Sequence, residues 1–453
     1  MKEETLRRLS KEELIRLFLE YQEHMEARVR ELEAKLEALM RPAKTPENSS
    51  KPPSSGYKAN RSQRGRKKRK KGRAGKSRKR VEPDVVIECH VEQCAECGAD
   101  LSDVPSHLLG SSQVVEIPPV EPVVIEARRY GCTCPHCGVR QSGAYPPGME
   151  PERVFGRRLE GMVTYLHEVH HLSYQRLQTV LKALFGLVVS AGALVNMVKR
   201  TAMALKPAAE GILKQIRGSP VVGSDETSAR IAGKNHWQWV FVTENATYHV
   251  IASSRGSKVI SEVMGDAMPL VWVSDMWSAQ LVAKTKQRQL CLAHQLRDLQ
   301  YAIDADGSAW AWRMQRLFRR AIRLGKQRDA MTVEHFALAV QQVEERLEHL
   351  LKQRARGPEA QRLRDRYRLH RQSLFVFLHV PGAPPDNNAS ERALRNSVIH
   401  RKVIGGFRSQ WGADAHAIVA SVIDTARKQG EDAFEVLLAL LGPETPVVGV
   451  RSA

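Results

Sequence analysis

Two apolar, β-rich runs that each end on an aspartate decide the fold: residues 219–230, SPVVGSDETSAR, and residues 269–280, PLVWVSDMWSAQ. The first run supplies Asp225 and the second supplies Asp275. A charge at the end of an apolar strand is costly unless it binds a metal ion or another partner. These two aspartates are therefore the first candidates for a functional site.

The sequence between and after these runs predicts further strands and one helix. His236–Thr243 and Thr247–Ala252 are rich in aromatic and β-branched residues, so three strands in a meander are expected. A helix-compatible stretch, Ser257–Met264, precedes the strand Val271–Ser274, and Arg288–His294 supplies one more strand. This order indicates an α/β, RNase H-like sheet, in which the first and fourth strands are neighbours and bring the two aspartates together.

A metal ion held by two carboxylates needs a further oxygen ligand, because Mg2+ prefers a shell of hard oxygen atoms. The candidate is Glu391 in residues 384–406, PPDNNASERALRNSVIHRKVIGG. An Asp or Asn is expected to cap a helix there, which places Asn387, Asn388 and Glu391 on one face. As an alternative, Glu391 pairs with Arg395 one turn later on a solvated helix surface.

Six short motifs in this order resemble the DDE transposases of the bacterial insertion sequence 66 family. They are SDET at Asp225, SRG at Ser254–Gly256, SDMWSA at Asp275, QLCLAH at Gln289–His294, DNNASERALR at Asp386–Arg395 and HRKVIGG at His400–Gly406. The resemblance implies a two-metal-ion site in which Asp225, Asp275 and Glu391 are catalytic and hold Mg2+ or Mn2+. It also implies double-stranded DNA as substrate, a homo-oligomer, and accessory proteins encoded by the same element.

The reaction implied by the resemblance begins with binding of the element's ends. Metal-dependent hydrolysis then cleaves the phosphodiester, and the released 3′-hydroxyl is joined to target DNA. Two alternatives stay open. One is a metal-dependent DNA nuclease that mobilises no element, and the other is a non-catalytic DNA-binding regulator derived from a transposase.

Composition fits a multidomain protein without a membrane segment. The chain has 453 residues with 42% hydrophobic content, which is ordinary for folded proteins. It has no apolar run of the roughly 18 residues that a spanning helix needs, and its amino terminus is charged where a signal peptide would be apolar. A cytoplasmic, nucleoid-associated bacterial protein is expected.

A net charge of +20 predicts a polyanionic partner. Fourteen Lys or Arg and no acid lie in Lys58–Arg80, within a stretch rich in Pro, Ser, Lys and Arg that has no hydrophobic period. Such a composition predicts a disordered linker. Within it, Lys67, Lys68, Arg69 and Lys70 are candidates for contacts with DNA phosphates.

Two Cys-x-x-Cys motifs, each followed by glycine, predict a structural Zn2+ site with four thiolate ligands. The ligands are Cys94, Cys97, Cys134 and Cys137. A redox role is the weaker alternative, because it would leave the second motif unexplained.

The residues between the two motifs are expected to complete a zinc ribbon. Val114–Ile117 and Val123–Ala127 are predicted to be its strands. Cys89, His90 and Cys132 stay open as replacement ligands.

Two helical modules precede the sheet. Residues 11–40 carry apolar side chains spaced by threes and fours, which predicts a short coiled coil or an amphipathic helix packed on its own protein. A helix Tyr174–Leu184 and a second helix capped by Ser190 resemble a helix-turn-helix. Lys199 and Arg200 then lie on the second helix, which would read DNA.

An all-helical insertion, residues 302–373, separates Asp275 from Glu391. One of its helices is crowded with arginines that are expected to touch DNA: Arg313, Arg316, Arg319, Arg320 and Arg323. Further DNA-contact candidates surround or follow the glutamate: Arg392, Arg395, Arg401 and Lys402, with His400 and Arg408 as additional phosphate ligands.

The sequence thus predicts eight segments. They are an amino-terminal helix (1–42), a disordered basic linker (43–83), a zinc ribbon (84–147), a helix-turn-helix-like domain (148–215), the first catalytic part (216–301), the helical insertion (302–373), the second catalytic part (374–442) and a tail (443–453).

Overall fold

The computed structural model describes residues 10–46, 48–49, 79–151 and 153–442. The residues that fall outside these ranges include the tail and four DNA-contact candidates, Lys67, Lys68, Arg69 and Lys70. Two compact units are distinguished among the described residues. One consists of residues 79–125 and 178–189, and the other holds the rest.

A long helix, α1 (Lys11–Met40), forms the amino-terminal part, as the sequence predicted. Its apolar side chains lie in solvent, with Phe18 64% and Leu32 50% exposed. The segment after it packs on the helical insertion, where Asn48 Nδ2 donates to Asp304 Oδ2 at 3.3 Å. Self-association through α1 stays a prediction.

The cysteine-rich region contains a short antiparallel hairpin, β1 (Gly131–Thr133) and β2 (Arg140–Ser142), which encloses the second Cys-x-x-Cys motif. The strands expected at Val114–Ile117 and Val123–Ala127 are wrong, because neither segment forms a ladder with any described residue. Their valines are largely exposed. A β-branched run becomes a strand only where a partner strand and an apolar surface are available.

Three helices precede the sheet: α2 (Arg157–Glu168), α3 (Tyr174–Phe185) and α4 (Ala191–Gly218). Ser190 caps α4 as predicted, because its hydroxyl accepts a hydrogen bond from Ala193 N at 3.2 Å. α4 extends further than predicted, since buried apolar residues continue at helical spacing to Ile216.

The central element is a five-stranded mixed sheet. Its strands and intervening helices are β3 (Val221–Ile231), β4 (Lys234–Val242), β5 (Thr247–Ala252), α5 (Ser257–Met264), β6 (Val271–Ser274), α6 (Ser278–Leu281) and β7 (Gln287–Leu290). The strand order is β5-β4-β3-β6-β7. β3, β4 and β5 form the predicted antiparallel meander, and β6 and β7 run parallel to β3.

The expected strand Arg288–His294 is partly wrong. The chain leaves the sheet after Leu290, and His294 lies in the first turn of a helix. The backbone explains the change, because Leu292 N donates to Pro385 O at 2.9 Å instead of extending the ladder.

After β7 the described residues, including the insertion, are largely helical. The helices are α7 (Leu292–Asp306), α8 (Ala309–Lys326), α9 (Val333–Lys352), α10 (Pro358–Leu369), α11 (Val376–His379), α12 (Asn388–Ile404), α13 (Gln410–Gln429) and α14 (Ala433–Leu440). None of the described helices combines the length and apolar character that crossing a bilayer requires.

Alternating side chains of β6 bind the sheet to helices on both faces. Val271 and Val273 belong to a core shared with the insertion helices α8, α9 and α10. Trp272, which points the other way, joins Val222 in a core with α4, α13 and α14.

The expectation that both aspartates end strands is right for Asp275, which directly follows β6. It is wrong for Asp225, which pairs with Val240 inside β3 because the antiparallel ladder with β4 continues to Ile231. Helices pack on both faces of the sheet beside these positions.

Candidate active site

The sheet places Asp225 and Asp275 at the same level on adjacent strands. β3 and β6 are parallel neighbours whose register pairs Gly223 with Val273, and each aspartate follows two residues later. Asp275 Oδ1 accepts a hydrogen bond from Trp277 N at 2.9 Å.

Crowding of negative charge is evident at Asp225. Burial of the carboxyl, and the nearby charges of Asp275, Glu226 and Glu391, raise the pKa of Asp225 well above its usual range. Within the described residues, neither Asp225 nor Asp275 forms an ion pair with Lys or Arg. Burying carboxylates without such a partner costs free energy, which a bound metal ion can offset.

Helix α12 brings Glu391 to this site because its first turn is fixed against β3. Asn387 Nδ2 donates to Ser224 O at 2.8 Å, directly before Asp225 in the chain. A Cβ at Gly223 would lie 3.0 Å from Ser390 Oγ and 3.3 Å from Asn387 Oδ1, so a side chain there would require these α12 side chains to shift. These contacts hold Glu391 near enough for its charge to act on Asp225.

The carboxylate of Glu391 faces two basic residues of α7, not Arg395 on its own helix. Glu391 Oε1 lies 3.7 Å from His294 Nδ1 and 3.9 Å from Arg297 Nη2, and it makes no hydrogen bond. Burial and the charge of Arg297 lower the pKa of His294, so the imidazole is neutral. An acceptor oxygen without a hydrogen-bond donor is suited to a cation.

Sequence reasoning did not predict that His294 and Arg297 lie beside Glu391. The apolar run predicts His294 at the end of a strand, although the QLCLAH motif draws attention to it. Cys291, which precedes it, accepts a hydrogen bond from Asn387 N at 3.2 Å. Burial raises the pKa of Cys291 to about 12, so the thiol is protonated where it packs against α12.

Glu226, the neighbour of Asp225, has a different role because its charge is already paired. Its Oε1 accepts from Arg255 Nε at 2.9 Å, and its Oε2 accepts from Gln280 Nε2 at 3.0 Å. The Arg255 guanidinium lies 3.8 Å from the ring centroid of Trp277 and 4.7 Å from that of Trp237. Burial, followed by the charge of Asp275, raises the pKa of Glu226 despite these bonds.

The first cysteine motif forms a tight knuckle. Cys94 N donates to Ala99 O and Gly98 N donates to Cys94 O, both at 2.9 Å, with Gly98 at φ 73°. Backbone amides of Cys97 and Glu96 lower the pKa of the Cys94 thiol.

The second motif repeats this geometry. Cys134 N donates to Val139 O and Gly138 N donates to Cys134 O at the same 2.9 Å, with Gly138 at φ 72°. Amides of Cys137 and His136 lower the pKa of Cys134. Amide donors aimed at sulfur favour the thiolate, which is the form that binds zinc.

The basic candidates on α4 and α8 differ in availability. Lys199 is exposed, whereas Arg200 is half-buried and its Nε donates to the buried Glu160 carboxylate at 2.9 Å. The five arginines of the insertion, now on α8, all lie on its exposed face.

The basic residues of α12 also differ from one another. Arg392, Arg395 and Lys402 are not buried, while Arg401 donates to the backbone and hydroxyl of Ser228. The expectation that His400 holds a phosphate is wrong, because its ring is buried against α2 and α13.

Comparison with known proteins agrees with this arrangement. Residues 153–415, more than half of the chain, match the family described as "Transposase IS66 family". The chain belongs to this family. Asp225, Asp275 and Glu391 all fall within the matched range, so the resemblance noted in the sequence is confirmed at the level of the family.

The amino-terminal half adds a second match. Residues 92–138 match the "zinc-finger binding domain of transposase IS66", a range that contains both Cys-x-x-Cys motifs. The two matches therefore support zinc binding and DNA binding as well as membership of the transposase family. A relative in Sinorhizobium fredii, the uncharacterized protein y4jD, is 22% identical over 395 residues, covering 79% of this chain and 76% of the relative.

Proposed function

We propose that this IS66-family protein binds the ends of an insertion sequence, cleaves them by metal-dependent phosphodiester hydrolysis and joins the 3′-hydroxyl ends to target DNA. The observation that carries the proposal is that Asp225 and Asp275 follow paired residues of the parallel neighbours β3 and β6, with Glu391 near enough for its charge to act on Asp225. Burial and the charges of Asp275, Glu226 and Glu391 raise the pKa of Asp225, and neither aspartate has an ion pair with Lys or Arg among the described residues.

The topology of the sheet supports an RNase H-like catalytic domain. An antiparallel meander is followed by two strands parallel to its first strand, and that first strand is central. The helical insertion then lies between the second and third carboxylates in the chain. This order accounts for the long sequence separation of Glu391 from Asp275.

The residues present fit divalent cations, because carboxylate oxygens are the ligands that Mg2+ and Mn2+ prefer. Two such ions would activate the attacking water or hydroxyl and stabilise the leaving oxygen. Asp225, central between the other two, would hold both ions, with Asp275 on one and Glu391 on the other. His294 and Arg297 orient the Glu391 carboxylate from α7.

The remaining modules would bind DNA and the structural metal. Cys94, Cys97, Cys134 and Cys137 would hold one Zn2+. Lys199 and Arg200 on α4, and Arg392, Arg395, Arg401 and Lys402 on α12, would contact phosphates. The basic run with Lys67, Lys68, Arg69 and Lys70 would add affinity without sequence preference. A homo-oligomer and accessory proteins of the same element complete the proposed assembly.

A strand-cleavage and joining assay on DNA that carries the element's ends tests this function. Asp225→Asn, Asp275→Asn and Glu391→Gln should each lower both reactions by about 10³-fold or more, the scale seen when one charge-stabilising group is removed from an active site. End binding should persist.

Matched controls exist on the surface of the same domain. Asp266→Asn and Glu431→Gln neutralise exposed acids and should leave both reactions unchanged. Cleavage without joining in the unmodified protein would identify a nuclease instead, and DNA binding without either reaction would identify a regulator.

A further inference from the structure

Three buried polar side chains converge where α2, α12 and α13 meet, apart from the carboxylate site. Glu168 ends α2, His400 lies on α12 and His416 on α13, and none is more than 4% exposed. One carboxylate oxygen and two imidazole nitrogens lie within 4.8 Å of one another. Glu168 Oε2 is 2.6 Å from His416 Nδ1 and 4.0 Å from His400 Nε2.

The nitrogen of His400 that faces this group has no hydrogen-bond partner among the described residues. His400 Nε2 is fully enclosed and unsatisfied, an arrangement that costs free energy in a folded protein. An unpaired ring nitrogen is therefore directed toward Glu168 in a closed polar space.

Glu168 supplies negative charge to the same space. Burial opposes its ionisation, but the hydrogen bond from His416 and the surrounding imidazoles lower the pKa of Glu168 to about 2. Its ion-pair contacts in the described part of the chain are imidazoles, those of His167, His400 and His416. A buried carboxylate whose ion-pair contacts are imidazoles offers a cation one oxygen ligand beside two ring nitrogens.

Surrounding hydrogen bonds orient the rings in the way that metal-binding histidines require. The other nitrogen of His416, Nε2, lies 3.4 Å from Ser397 Oγ, and that hydroxyl accepts from Gln238 Nε2 at 2.7 Å. A partner on the second ring nitrogen fixes the ring and the tautomer of a ligating histidine. His171, whose ring centroid is 5.7 Å from that of His400, adds another buried nitrogen without a partner in the described part of the chain.

We propose that Glu168, His400 and His416 form a second metal site, distinct from the cysteine motifs and from the carboxylate triad, that binds Zn2+ through two nitrogens and one oxygen. This ligand set suits zinc better than Mg2+, which prefers oxygen alone. Binding at His416 Nδ1 displaces the proton that this atom now donates to Glu168, and the proton leaves to solvent.

The site would connect the end of α2 to the helix that carries Glu391. His400 and Glu391 lie on the same helix, α12, so a metal ion at one end would restrain the carboxylate at the other. A hydrogen-bonded Glu168–His416 pair alone explains two of the three side chains. It leaves the unsatisfied Nε2 of His400 without a reason.

Zinc content of the full chain tests the proposal. The protein as expressed should contain about two zinc ions per chain if the cysteine site holds one. A variant in which the six cysteines from Cys89 to Cys137 are serine should retain one ion, and X-ray absorption should show only nitrogen and oxygen neighbours at about 2.0–2.2 Å.

A second comparison uses the histidines. In the same background without those six cysteines, His400→Gln with His416→Gln should remove the remaining ion, whereas His249→Gln should keep it. His249 is an equally buried histidine, bonded to Asp424, that lies outside the cluster. If the six-serine protein bound neither Zn2+ nor Co2+ stoichiometrically, the proposal would be overturned, even if the double histidine variant failed to fold.

Discussion

The adjacent acids Asp225 and Glu226 differ in the groups that surround their carboxylates. Glu226 is paired with Arg255 and accepts a hydrogen bond from Gln280, whereas Asp225 meets only other carboxylates among the described charged groups. The sequence SDET gives no sign of this difference, because both acids follow the same apolar run. Only the approach of Arg255 from the segment after β5 separates them.

The raised pKa of Asp225 predicts a stability gain on its neutralisation. An acid whose pKa is higher in the folded state destabilises the fold once pH exceeds that folded value, and the cost disappears as pH falls below the unfolded value. Asp225→Asn should therefore raise the melting temperature of the metal-free protein at neutral pH. The gain should shrink in acid.

Thermal melts with chelator and with Mg2+ measure this effect. Mg2+ should stabilise the unsubstituted protein and the Asp266→Asn control, but it should stabilise Asp225→Asn much less. A melting temperature of Asp225→Asn at or below that of the control in chelator would contradict the electrostatic account.

Removal of Arg255 should leave the negative charge of Glu226 unpaired beside Asp225. Arg255→Gln is expected to lower strand cleavage about tenfold, the rate change that corresponds to ~1.4 kcal/mol, because an unpaired Glu226 adds a repelling charge beside Asp225. Adding Glu226→Gln to it should restore part of the activity, because the two side chains are coupled. A double variant no better than Arg255→Gln would mean that the guanidinium acts on DNA directly.

At the scale of elements, sequence periodicity predicted the sheet better than its surroundings. β5, α5 and β6 begin and end where the pattern of β-branched and apolar residues placed them. The strand predicted at Arg288–His294 extends past the end of β7. The hydrogen bond between Leu292 and Pro385 explains this, because it joins residues that are far apart in sequence. The strands predicted in the zinc ribbon do not form, because a strand needs a partner strand. The length of α4 was underestimated, because its helical pattern contains Pro207.

The site was predictable to the extent that its residues lie in short motifs. Asp225, Asp275 and Glu391 could be proposed from the sequence, because each lies in a short motif beside an apolar run or at the start of a predicted helix, although Asp225 lies within β3 and not at its end. The roles of His294, Arg297 and the Glu168 cluster could not be, since each depends on helices that meet only in the folded chain.

The packing of α12 on β3 depends on the absence of a side chain at Gly223. Gly223→Val should push Asn387 and Ser390 outward, displace Glu391 and lower cleavage at least about tenfold, with end binding retained. Gly211→Ala is the matched control, since nothing lies within 4 Å of its added Cβ and alanine favours a helix by about 0.5–1 kcal/mol. Unchanged cleavage by Gly223→Val would show that the position of α12 is not critical.

At the scale of the whole molecule, positive charge is concentrated in a segment of the sequence that precedes the catalytic sheet. Most of the +20 net charge lies in Lys58–Arg80, nearly all of it outside the described residues. The proposed function therefore assigns nonspecific attraction of DNA to this run and recognition of the element's ends to the folded modules.

Deleting residues 58–80 should therefore lower DNA affinity and flatten its salt dependence. The slope of log affinity against log salt falls by roughly 0.9 for each duplex DNA phosphate that the protein no longer neutralises. Preference for the element's ends over other DNA should survive, as a competition assay can show. An unaltered salt slope would mean that the run does not bind DNA.

The most direct test of the central claim is to count the divalent ions held by the three carboxylates. Electron paramagnetic resonance can measure Mn2+ bound by the full chain on end DNA, above that bound by the DNA alone. The account predicts about two ions per chain, both absent in Asp225→Asn and both kept in Asp266→Asn. Equal Mn2+ binding by Asp225→Asn and the unsubstituted protein would contradict it.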